Sequence, residues 1–282
     1  MGWLARKGQP FSDGHLEKPL IMGILNVTPD SFSDGGKFLS MDRACEQAFH
    51  LVTQGVDIID IGGQSTKPGT ELIPIDVELN RVISVIQHIR ANSDICISID
   101  TNRPEIMEAA IDAGANIIND VYALRTEGAL AMAAKLDVPV CLMHMQGEPK
   151  NMQENPYYPD GVFSEVMRFF AERIEACVQA GLNKKYLILD PGFGFGKTVQ
   201  DNLYLINKLN DFALLGMPLL LGVSRKSAIG AVLGKEVNER LIGSIALAVY
   251  ATLKGVGIIR THDVDETNQA LHMIDMVSKA TL

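Results

Sequence analysis

No stretch of this chain is apolar for long enough to cross a bilayer. The longest apolar run, 213–223, is interrupted by Gly216 and Pro218, and it falls well short of the roughly 20 residues a spanning helix needs. The N-terminal MGWLARKGQPFSDG lacks the apolar core of a secretory signal. Cysteine is scarce. Cys45, Cys96, Cys141 and Cys177 stand far apart with no C-x-x-C pair, which argues against zinc ligation or a disulfide framework and for buried reduced thiols. These absences lead us to expect a soluble cytoplasmic protein with no membrane partner. An excess of positive charge is missing too: the formal net charge is -9, which argues against a nucleic-acid binder with its basic face. Any anionic substrate must therefore meet a local cluster of cations. Linkers and low-complexity stretches are also lacking, as expected of one domain.

What the chain does contain is hydrophobic material for a large core, 47% of its residues, arranged in eight short runs. They are LIMGILNV (20–27), VDIIDIGG (56–63), DICISID (94–100), ANIINDV (115–121), VPVCLMHM (138–145), KYLILDPG (185–192), PLLLGVSR (218–225) and VGIIRTHD (256–263). Near-continuous Val, Ile and Leu is the pattern of parallel strands buried on both faces. Between the runs lie helix-patterned segments. MDRACEQAFHLVTQG ends in Gly55, DVELNRVISVIQHIR is acidic at its start and basic at its end, and RPEIMEAAIDAG has Pro104 in its first turn. Eight such alternations predict an α/β fold, a (β/α)8 TIM barrel over 20–282. A doubly wound open sheet has no good place for eight equal strands. Residues 1–19 are expected to form a short N-terminal extension covering the barrel bottom.

Polar residues gather where the runs end: Asn26, the 62–69 loop, Asp100, Asn119 and Asp120, His144, Asp190, Ser224 to Lys226, Arg260 and His262. One Asp or Asn in such a place is commonly a helix cap. A full set of eight strand ends is different, because barrel active sites are assembled from them. The glycines of DPGFGFGK suggest a phosphate loop, but they do not match G-x-x-x-x-G-K-[ST] as a unit.

Six motifs now identify a resemblance: MGILNVTPDSFSDGG (22–36), IDIGGQSTKPG (59–69), CLMHMQGEPKNMQ (141–153), LDPGFGFGK (189–197), GVSRKS (222–227) and IIRTHD (258–263). In this order and spacing, from about Leu20 to the last helix, they resemble dihydropteroate synthase. The resemblance implies a transferase of folate biosynthesis and a target of sulfonamides. Such an enzyme joins 6-hydroxymethyl-7,8-dihydropterin pyrophosphate to para-aminobenzoate and releases pyrophosphate.

The resemblance also implies roles for single residues. Asp190 accepts from the donor edge of the pterin, Lys226 serves its acceptors O4 and N5, and Asn119 completes the edge, roles that suit an acceptor-only carboxylate and a donor-only ammonium. Arg260 and His262 face the pyrophosphate, with Lys67 beside them and Asn26 as an oxygen ligand of Mg2+. Asp100 faces the cation left on the pterin methylene. The para-aminobenzoate pocket draws on Phe32, Thr66, Pro68, Phe195, Lys226 and Ser227. His144 and Met145 support the pterin floor, His144 without a catalytic role, and Phe193 is core or pterin support. The family's late helices imply a homodimer.

Two positions depart from the family pattern GGESTRPG: Gln64 replaces the acid and Lys67 the arginine. Lysine keeps the charge but loses the bidentate fork. The joint swap is consistent with the loss of a salt bridge that leaves no orphan charge. A pterin-binding methyltransferase that passes a methyl group from methyltetrahydrofolate to a corrinoid partner would need no pyrophosphate site, and Arg260, His262 and SRKS argue against it. A catalytically inactive barrel would have lost some strand-end residues, whereas here every one except the conservatively changed Lys67 is present.

Overall fold

The computed structural model describes residues 19–27, 37–64, 73–148 and 151–280, with the backbone alone described for 37–40. The eight apolar runs are eight strands: β1 (Leu20–Asn26), β2 (Ile58–Gly62), β3 (Cys96–Asp100), β4 (Ile117–Asp120), β5 (Val140–Met143), β6 (Leu187–Asp190), β7 (Leu220–Gly222) and β8 (Ile258–Thr261). All ladders are parallel, in the order β6-β5-β4-β3-β2-β1-β8-β7. A parallel bridge between Leu189 and Leu219 closes the ring. Strand β7 is shorter than its apolar run. Pro218 has no N–H to donate, and Arg225 turns into the left-handed region at φ 56°.

Helices α1 (Lys37–Thr53), α2 (Ile75–Asn92), α3 (Pro104–Asp112), α4 (Ala129–Leu136), α5 (Val162–Gln179), α6 (Val199–Asn207), α7 (Ser227–Leu233), α8 (Leu241–Leu253) and α9 (Val264–Lys279) surround the strands. Their ends follow local chemistry. Pro104 opens α3, where a missing N–H costs nothing. Helix α2 carries Asp76 and Glu78 in its first turn and Arg90 in its last, matching the helix dipole. The proposed 1–19 extension lies outside the described residues, apart from Pro19.

Alternation along the strands sorts side chains onto two faces. One face packs against the helices and forms the main core, with Ile59, Ile61, Ile97, Ile99, Ile118 and Leu189 among its members. The other points into the barrel. There Leu20, Met22, Ile58, Cys96, Ile117, Cys141, Ile188, Leu220 and Ile258 form an apolar layer to which every strand contributes. The same parity, two residues further on, reaches Asp60, Ser98, Asn119, Asp190 and Arg260. Two more reach Gly62, Asp100 and His262. The strand period thus places a polar ring directly above an apolar floor. All four cysteines are buried and unpaired, and no described helix is long and apolar enough to cross a membrane.

Candidate active site

The centre of the polar ring is a charged chain across four strands. Arg260 on β8 donates through Nε to Asp60 Oδ2 at 2.6 Å and through a terminal nitrogen to Asp100 Oδ2 at 2.9 Å. Asn119 Nδ2 donates to the same Asp60 oxygen at 3.0 Å. With that amide group committed to Asp60, Asn119 presents its Oδ1 as an acceptor. Burial pushes the Asp100 carboxyl up, and Arg260 pulls it partway back. Burial opposes the charge on Arg260, but the carboxylates of Asp60 and Asp100 outweigh that and raise its pKa.

Asp60 escaped the sequence reading, which gathered the polar residues at the strand ends and passed over an acid inside the second run. The signal was an acid two residues inside VDIIDIGG, on the same face as Gly62. Asp60 is fully buried, and its second oxygen has no hydrogen-bond partner among the described residues.

Asp190 ends β6 on the same inner face. Its Oδ1 accepts from Gly192 N at 2.8 Å, closing a tight local turn across Pro191. Burial raises its pKa, and the Lys226 ammonium opposes the rise. Lys226 sits between β7 and α7 as the cap of α7. Its ammonium donates to Phe193 O and lies 4.3 Å from the centre of the Phe195 ring. Burial pushes its pKa down to about 8, partly countered by Asp190. Ser227 is the exposed first residue of α7. The preceding turn is held from outside: Arg225 pairs with Asp263 and its N–H donates to Ser244 Oγ.

His262, exposed after β8, shares a 3.0 Å hydrogen bond between Nδ1 and Ser224 Oγ. His144 is buried, and burial together with Lys197 pushes its pKa down to about 2, so the ring stays neutral. The lysine of DPGFGFGK points inward rather than at a phosphate: burial drives its pKa down to about 7, and Nζ lies 2.9 Å from Gly192 O, Phe195 O and His144 Nδ1. Phe193 is packed in the main core. Asp120, by contrast, is a turn residue, accepting from the N–H groups of Tyr122 and Leu124, both at 2.8 Å. Phe32, Thr66, Lys67 and Pro68 lie outside the described residues.

The donors present suit a cation carried in by a substrate. Among the described residues no group of three or more His, Cys, Asp or Glu could hold a metal by itself. Asn26 Oδ1 and Asp100 Oδ2 lie 3.7 and 3.8 Å from the point where a Cβ of Gly62 would stand. The glycine therefore leaves open space beside hard oxygen donors. Mg2+ is commonly bound by one or two protein oxygens together with phosphates and water, and Asn26 fits that mode.

This is the site of a barrel enzyme that recognises a polar, partly anionic ligand at its C-terminal mouth. Residues 22–262 match the model of the pterin binding enzyme family. The chain is 49% identical over 265 residues to the dihydropteroate synthase of Escherichia coli (strain K12), covering 94% of each. Among solved structures it is similar to Yersinia pestis dihydropteroate synthase in a sulfonamide drug complex, with TM-score 0.89 and 46% identity over 94% of this chain and 96% of that one. It is also similar to Xanthomonas albilineans dihydropteroate synthase in complex with 7,8-dihydropteroate, with TM-score 0.85 and 44% identity over 94% and 95%. The chain belongs to the dihydropteroate synthase family.

Proposed function

We infer that this chain joins 6-hydroxymethyl-7,8-dihydropterin pyrophosphate to para-aminobenzoate, making 7,8-dihydropteroate and pyrophosphate. The observation that carries this reading is the polar ring. Asn119 and Asp190 offer acceptors to a pterin's donor edge, and Lys226 offers a donor to its other edge, all on one mouth that also holds Arg260 and His262.

In the reaction the C–O bond to pyrophosphate breaks and the aniline nitrogen attacks the pterin methylene. Arg260 and His262 stabilise the charge that grows on the leaving oxygen, and Asp100 faces the cation delocalised from the methylene into the ring. Such groups act on the transition state more than on the ground state. The arylamine is already unprotonated near pH 7, so its proton leaves to pyrophosphate or water without a protein base. Mg2+ held by the pyrophosphate and Asn26 would neutralise phosphate charge. We assign Phe195, Lys226 and Ser227 to the para-aminobenzoate side; the family resemblance adds Phe32, Thr66 and Pro68 to that role and Lys67 to the phosphates.

Two further assignments complete the reading. Four buried free thiols support a reducing, cytoplasmic setting. Exposed apolar side chains on α7 and α8, including Val232, Leu233 and Ile242, support a homodimer through this face. Pyrophosphate release that requires both substrates and Mg2+ tests the activity. Release with the pterin substrate alone, or none with both, contradicts it.

A further inference from the structure

The loop at 192–197 after β6 has almost no backbone ladder, yet every carbonyl in it accepts a side-chain donor. Lys197 serves Gly192 O and Phe195 O, Lys226 serves Phe193 O, Gln153 serves Gly194 O, Tyr158 serves Gly196 O, and Asn202 serves Lys197 O. Buried carbonyls need partners, and here they are side chains apart from one backbone bond, Phe195 N–H to Gly192 O at 3.1 Å. Lys197 is the hub. Only 3% exposed, it holds two carbonyls of the loop and His144 Nδ1, each at 2.9 Å. In either protonation state it keeps two donors for the carbonyls. A neutral amine would instead accept from His144 Nδ1–H.

The loop therefore lies between two lysines, with Lys197 inside and Lys226 outside. Lys226 meets it at Phe193 O and over the Phe195 ring. We propose that Lys197 is a positioning residue, which sets the 192–197 backbone so that Phe195 and the Lys226 ammonium stand in register for the second substrate. Removing the hub leaves Phe195 O without its side-chain donor and Gly192 O with the Phe195 N–H alone. The Phe195 peptide is then able to turn, and its ring leaves the face of Lys226. Asp100, Arg260 and His262 belong to other strands and keep their places. The functional part of the proposal rests on the reading of Phe195 and Lys226 as para-aminobenzoate contacts.

The test uses Lys197→Gln, which retains part of the donor set, alongside Lys197→Met, which retains the stem alone. The lysines are labelled as 13C-dimethyl derivatives, and the Lys226 resonance is assigned by its loss in Lys226→Arg. In the parent protein the Phe195 ring shifts that resonance upfield; Lys197→Gln reduces the upfield shift and Lys197→Met abolishes it. In the same variants KM for para-aminobenzoate rises about tenfold or more while kcat changes less than about threefold, the scale of one unsatisfied buried group acting on binding. If Lys197→Met fails to fold, Lys197→Gln carries the test alone. An unaltered Lys226 resonance overturns the proposal whatever the activity does. A displaced resonance with unchanged KM, or a loss confined to kcat, overturns the functional part. An inactive parent protein would refute the synthase reading and leave the resonance to decide the position of Lys226.

Discussion

Asp100 and Asp60 share one arginine, and the difference between them is instructive at the scale of single residues. Asp100 reaches the mouth, while Asp60 is buried beneath it and holds Arg260 and Asn119. Asp100→Asn is expected to leave pterin affinity nearly intact and slow turnover by roughly 10²–10³, the scale of one lost transition-state contact. Single-turnover rates beside pterin titrations check this. Arg260→Ala should weaken binding of the pyrophosphate substrate far more than that of the free hydroxymethyl pterin, which calorimetry with the two ligands compares directly.

Lys226 gives the pH dependence at the same scale. Its pKa is lowered from 10.5 to about 8 by burial, and the proposed role at the pterin acceptors needs the ammonium, which is donor-only and carries the charge. The kcat/KM for the pterin substrate should therefore fall as pH rises through about 8. In Lys226→Arg that limb disappears from the measured profile. Stability moves the other way. Between the folded and unfolded pKa values the unfolded chain binds the extra proton, so Lys226 makes stability rise with pH across that window. Most of these residues were legible in the sequence as the polar ends of strands. Asp60 and Lys197 were not, because their importance depends on which face of a strand, or which side of a loop, the fold turns inward.

At the scale of elements, the eight strands were readable because parallel strands covered on both sides are apolar along their length. Their exact extents were not. The run at 218–225 shrinks to β7 because a proline and a left-handed arginine interrupt pairing. Helix α1 begins at Lys37, four residues before the segment that its periodicity marked. The β6 loop offers a sharper test of what local sequence demands. At Gly192, with φ 69°, an added Cβ would lie 1.9 Å from His144 O, whereas at Gly216, with φ 71°, it meets nothing within 4 Å. Gly216→Ala should cost about 1–2 kcal/mol, the ordinary cost of a left-handed alanine. Gly192→Ala should cost about 4 kcal/mol or more, since backbone has to move as well. Denaturant melts of the two variants separate the clash from the dihedral cost.

For the molecule as a whole, an overall charge of -9 coexists with a site that needs cations. The structure meets this by concentration: Arg260 and Lys226 stand at one mouth, within range of Asp60, Asp100 and Asp190. On the outer surface, Ile242 is 81% exposed on α8. If this face joins two copies, Ile242→Glu places a charge in an apolar contact and weakens association by at least about tenfold. Sedimentation across a concentration series should show the parent chain as a dimer and the variant shifted toward monomer. A parent chain that sediments as a monomer refutes the dimer assignment.

The apolar floor beneath the polar ring has one more consequence. With every strand supplying a hydrocarbon or thiol side chain there, the charges above it touch solvent from one direction only. A flat heterocycle settling on the ring acts as a roof, and with the roof in place the ion pairs below lie between two sheets of low polarisability. Fields that water had damped then act at closer to full strength. The substrate, by covering the charges that will work on it, supplies part of the medium in which its own bond breaks.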